Sequence, residues 1–166
     1  MSFQLKPISR DAIPAALEKV HRYRGLNEPA EAESICLDIL EADPGNQAAI
    51  MLLLLSRTDQ IDDGRNPQEA RQILASLESE YDRTYYAGII LERTAKALIK
   101  QGSPGASYTA YEQLHQAMDW FEKAEALRPP GHDDAILRWN ACARMLMRHP
   151  ELRPRPKDAF APVMSE

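Results

Sequence analysis

The sequence predicts an all-α fold built from paired helices, on three observations. Apolar residues recur at the 3.6-residue period throughout, and no useful stretch alternates apolar and polar residues as a half-buried strand would. Breaks such as Asp43-Pro44-Gly45, Gly102-Ser103-Pro104-Gly105 and Arg128-Pro129-Pro130-Gly131 cut the periodic segments into short lengths. One unit, an amphipathic helix closed by a Pro/Gly turn, occurs over residues 30–46 and again over 117–131. Reuse of a supersecondary unit is the mark of a helical solenoid.

The elements follow in order. A first helix is expected over residues 12–24, with Ser9 or Asp11 as cap, Pro14 in the first turn and Gly25 as stop. A second follows Asn27 as N-cap and sets Ala32, Ile35, Cys36, Ile39 and Leu40 on one face, opposite Glu31, Asp38 and Glu41. A third, 46–60, is apolar nearly all round from Ala48 to Leu55, which predicts packing on more than one side. Asn66-Pro67-Gln68-Glu69 then combines an N-cap, a proline at the first helical position and a glutamate placed for a capping box. It opens a fourth helix running to about Tyr81 and burying Ala70, Ile73, Leu74 and Leu77. The fifth, 83–101, has Glu92, Arg93, Lys96 and Lys100 as its polar component. The sixth spans 107–127 with Tyr111, Leu114, Met118 and Phe121 as its apolar stripe, and the seventh spans 133–148 around Trp139, Cys142 and Leu146. Residues 1–11 form an N-terminal extension, 12–149 the helical domain and 150–166 a Pro/Arg-containing tail on the surface.

Composition bounds the function. A chain of 166 residues can bury one sizeable core, so one domain is expected. A net charge of -5 gives no global case for nucleic-acid binding. The N-terminus lacks the apolar stretch of a secretory signal, and the apolar run 50–55 is far shorter than the roughly 20 residues that span a bilayer. A cytoplasmic protein without a membrane partner is expected. Cys36 and Cys142, each on an apolar helical face, read as reduced core residues.

Seven helices, as three pairs and a final single helix, resemble a three-unit tetratricopeptide repeat (TPR) array with a capping helix. The likeness is carried by Tyr23, Ala32 and Asp43-Pro44-Gly45-Asn46 in the first pair and by Ala117, Phe121, Ala124 and Pro129 in the third. It implies a right-handed solenoid of antiparallel helix pairs, with Trp139 and Leu146 sealing the last apolar face. The equivalent alanines depart from the 34-residue period, since Ala32 to Ala70 is 38 residues and Ala70 to Ala117 is 47. The second and third units are therefore degenerate, and the extra length falls in the loop 61–66 and in longer fifth and sixth helices.

The resemblance also implies a function. The first helix of each pair would line a concave groove taking a peptide or helix of another protein. The lining would be Leu17, His21 and Arg24, then Met51 and Leu55, then Tyr86, Arg93 and Lys96, apolar in the middle with basic ends. The lysine and asparagine clamp of chaperone-binding TPR domains is not recognisable, because Leu17 and His21 stand where it would begin. Arg138, Arg144, Arg148, Arg153, Arg155 and Lys157 crowd the C-terminus against Glu151 alone, without interleaved aromatics, and read as a solvated surface rather than a nucleic-acid site. No Gly-rich phosphate loop, nucleophile elbow or paired-cysteine zinc motif occurs, so a non-enzymatic module without cofactor or metal is expected. Two alternatives remain: a helical metal-dependent hydrolase using His132 and Asp133, and a self-association module forming a homodimer through Trp139 or the tail.

Overall fold

The computed structural model describes residues 1–157. Among them are seven α-helices and no strand: α1 Ile13–Gly25, α2 Pro29–Ala42, α3 Gln47–Asp59, α4 Pro67–Arg71, α5 Glu80–Gln101, α6 Ala106–Leu127 and α7 Asp134–Arg148. Each helix packs on the next, and α3 also contacts α1 and α5. As expected of its apolar surface, α3 buries residues on several sides, among them Ile50, Leu52, Leu53 and Leu54. No helix is long and apolar enough to cross a membrane among the described residues.

Turn chemistry explains most helix ends. Asn46 accepts from the Ala49 N–H at 3.0 Å to cap α3. Gly102 (φ 66°) and Gly105 (φ 78°) take the left-handed conformations that reverse the chain between α5 and α6. The N-terminal caps differ from the reading above. Neither Ser9 nor Asp11 caps α1 through its side chain; a 3-10 turn at Arg10–Ala12 leads into it instead. The cap of α2 is Glu28, with Pro29 as first helical residue, because Asn27 is in the left-handed region (φ 59°) that asparagine tolerates.

The fourth helix is the main correction. It ends at Arg71 after five residues rather than near Tyr81. The capping box does not close either, because the Glu69 carboxylate turns to the Arg65 guanidinium at 2.7 Å. Beyond Arg71 the chain tightens into a 3-10 turn at Leu74–Ser76 and becomes extended at Leu77. Side chains from elsewhere hold this path. Gln47 donates to the Ser76 carbonyl and accepts from the Glu78 N–H, while Arg83 Nη1 donates to the Leu77 and Glu78 carbonyls at 2.7 and 2.8 Å. Ser79 then caps α5 by accepting from the Asp82 N–H. Ala70, Ile73 and Leu77 are buried as predicted, and Leu74 is half-buried.

Two apolar clusters form. One joins α1, α2, α3 and the α4 segment, and includes Ile90 of α5. The other joins α5, α6 and α7, and includes Leu152 of the tail. Tyr86 of α5 packs against both. Cys36 and Cys142 are free and buried, one in each cluster. At 22 residues each, α5 and α6 are longer than α1 to α3, as the alanine spacing implied. Ala110, Ala117 and Ala124, seven residues apart on α6, are fully buried. Opposite, a Cβ at Gly88 of α5 would lie 2.6 Å from the Phe121 ring. The tail crosses the α5–α6 turn, with Arg155 over the Tyr108 ring at 5.7 Å. Its remainder, 158–166, lies outside the described residues.

A carboxylate hub ties α2 to the end of α3 and to the chain that follows it. Glu33 accepts from Arg57 at 3.1 Å, Gln60 at 2.8 Å and Arg65 at 2.9 Å. Burial pushes its carboxyl up, but these donors and the Arg65 charge together hold it below the ordinary value of 4.5. A depressed folded pKa stabilises the protein above the unfolded value and ceases to do so as pH falls through the folded one. The stability advantage of the wild type over Glu33→Gln is therefore expected to be full above about pH 5 and to shrink below 4.5 in thermal melts at stepped pH. Gly88→Ala is expected to destabilise by about 1 kcal/mol, since overpacking against a buried ring costs more than the alanine gains in helix propensity. In a Phe121→Leu background the same change should become neutral or stabilising, which chemical denaturation would measure.

Candidate partner-binding face

The expected lining residues come from α1, α3 and α5, and the structure groups part of them around a carboxylate that the sequence reading did not single out. Asp59, the last residue of α3, receives Arg24 Nε from α1 at 2.7 Å and Arg93 Nη2 from α5 at 3.5 Å. His21, exposed on α1, lies in the same open cleft with Asn27 and Pro29. The Nε of Arg93 is buried there without a hydrogen-bond partner. A carboxylate at a helix C-terminus opposes the helix dipole, so its presence at Asp59 is the signal that a cationic partner is needed.

One turn along from Arg93, Lys96 meets a second carboxylate. Lys96 Nζ lies 2.6 Å from Glu92, whose other oxygen receives Arg138 of α7 through Nε at 3.0 Å and Nη2 at 2.7 Å. Glu92 is therefore not part of a solvated face; only 1% of it is exposed. Arg138 likewise leaves the solvated C-terminal patch for this ion triad. Burying a carboxylate is strongly unfavourable unless it is paired and hydrogen-bonded, which the two cations accomplish.

Asp59 and Glu92 thus carry four cations between them, Arg24, Arg93, Lys96 and Arg138, contributed by α1, α5 and α7. Around these two carboxylates alone, four positive groups stand against two negative ones. The apolar residues predicted for the lining are half-buried. Leu17 and Met51 pack on the first cluster, Leu55 on the second, and Tyr86 on both. They serve the core while keeping an edge accessible.

Neither thiol is poised for chemistry. Burial first, and then the negative charge of Glu92, push Cys142 up to about 12, and burial does the same for Cys36. Burial also raises Tyr85 to about 12, against the opposing charge of Arg138. His132 and Asp133 are not brought together. His132 packs edge-on to Tyr81 at 5.3 Å and pairs with Asp134, whereas Asp133 turns to Arg128 at 3.3 Å. Among the described residues no three His, Cys, Asp or Glu side chains gather in a group that could hold a metal ion. The Trp139 indole N–H donates to Glu122 of α6 at 3.1 Å, and Trp139 and Leu146 both pack on the second cluster.

No family model matches the chain, and comparison with curated proteins and with solved structures likewise finds no significant match. Glu92→Ala is expected to lower stability by about 2 kcal/mol, because Lys96 and Arg138 lose their common acceptor while remaining partly hydrated. Urea denaturation would measure it, and Arg138→Met should cost a comparable amount by leaving Glu92 a single partner.

Proposed function

We propose that this chain is a non-enzymatic protein-interaction module, a right-handed TPR-like superhelix in which the α1–α3–α5 side forms a concave groove for a peptide or helix of another protein. The observation that carries the reading is the row of cations outnumbering Asp59 and Glu92, with half-buried Leu17, Met51, Leu55 and Tyr86 beside it. An excess of positive charge next to accessible apolar edges suits a partner segment with acidic groups and apolar anchors. The successive packing of the helices supports the repeat architecture, and the length of α5 and α6 goes with its irregular spacing.

The ion pairs determine how the reading is tested. Lys96→Glu would set a second carboxylate against buried Glu92 and unfold as readily as it unbinds, so neutral replacements are the better probes. Peptides selected from a random display library against the full chain are expected to be acidic. They should lose roughly tenfold affinity for the Arg93→Gln, Lys96→Gln double variant, whose thermal midpoint falls because Glu92 keeps only Arg138 but whose helical circular dichroism at the assay temperature matches the wild type. Equal affinity for wild type and variant would remove this surface from the assignment.

A further inference from the structure

The truncation of α4 leaves a second surface with a different character. Two clefts open along one stripe of α5, formed by Ala87, Leu91, Thr94, Leu98 and Gln101. Their spacing of four, three, four and three residues makes one continuous helical face about 21 Å long. The cleft over Ala87 and Leu91 is lined by Leu74 and by Gln116 and Trp120 of α6, and the cleft over Thr94, Leu98 and Gln101 by Ile61 and Pro67. At 100° per residue this stripe is roughly opposite Lys96 around α5, so the groove is separate from the cationic row. It exists because α4 stops after five residues, while its neighbour α6 continues for 22.

We propose that this groove receives an amphipathic helix of a partner protein, its apolar face on Leu91 and Trp120 and an acidic residue against Arg71. Three features favour that occupant. The groove offers no strand edge, so an extended peptide would leave its own N–H and C=O groups unpaired over an apolar floor, whereas a helix satisfies them internally. The small Ala87 and Thr94 on the floor let a second helix axis come close. The charged residues lining the clefts, Arg65 and Arg71, are both cationic. Arg65 is occupied by Glu33 and Glu69, while exposed Arg71 has no ion-pair partner among the described residues. Lys123, over the Trp120 ring at 4.6 Å, adds positive charge to the other wall.

The test uses the full chain and a phage-displayed library of 14-residue peptides patterned as amphipathic helices with one variable acidic position. Enriched peptides are expected to shift the emission of Trp120, read in a Trp139→Phe background, to shorter wavelength. They should lose at least tenfold affinity for Ala87→Glu and none for Leu37→Glu, an apolar-to-acid change elsewhere on the surface. Arg71→Glu should weaken binding about fivefold, and less when the peptide's glutamate is a glutamine. Should Ala87→Glu fail to fold, Trp120→Glu at the exposed wall asks the same affinity question. Binding alongside, rather than in competition with, peptides selected on the Arg93/Lys96 face would separate this site from that one. Failure to enrich any helix, enriched helices indifferent to Ala87→Glu and Trp120→Glu, or a dimer in light scattering abolished by those variants would overturn the proposal.

Discussion

A helix with neighbours on several sides has to meet each of them with residues that recur only every third or fourth position, and α5 is under that constraint here. Ile90 belongs to the first apolar cluster, Ile89, Leu91 and Ala95 to the second, and Gly88 is bare so that α6 can approach through Phe121. Glu92 reaches α7 through Arg138, and Arg93 reaches α3 through Asp59. Both the cationic row and the apolar groove are faces of this one helix, so a displacement of α5 alters all of these contacts together.

Much of this arrangement was legible in the residues. Helix existence followed the 3.6-residue period, and the breaks at Gly102 and at Pro129-Pro130 fell where glycine backbone freedom and the missing proline N–H require them. What failed at α4 was local reasoning itself. Asn66 and Pro67 start a helix as expected, but the side chains that hold residues 76–78 in a non-helical path, Gln47 and Arg83, come from other helices and lie outside what the segment's own propensity can tell. Burial of Ile73 and Leu77 survived because a core contact constrains where an apolar residue ends up, rather than the backbone path that brings it there.

The candidate site was legible in part for a related reason. The TPR resemblance put Arg24, Arg93 and Lys96 on one expected lining, and the structure brings Arg24 and Arg93 to the same carboxylate. The acceptors were not legible, since Asp59 lies 35 residues from Arg24, and Glu92 lies 46 from Arg138. A glutamate four residues before a lysine reads equally well as a solvated pair, and only the long-range arginine makes its burial tolerable. The cations therefore hold the helices together, α1 to α3 and α5 to α3 and α7.

The place of Ile90 and Tyr86 in the first cluster also has a consequence for the order in which the chain is made. The helices α1 to α3 leave the ribosome with an apolar face that residues of the α4 segment, and last Tyr86 and Ile90 of α5, complete. The interval between Leu55 and Ile90 is about 35 residues, roughly 2 to 7 s at ordinary rates of synthesis. During that time the N-terminal half is a nascent chain with its core uncovered. Whatever shields exposed apolar surface in the cell has its opportunity in that window, before α5 and α6 fold back as a hairpin of mostly local contacts and close both halves at once.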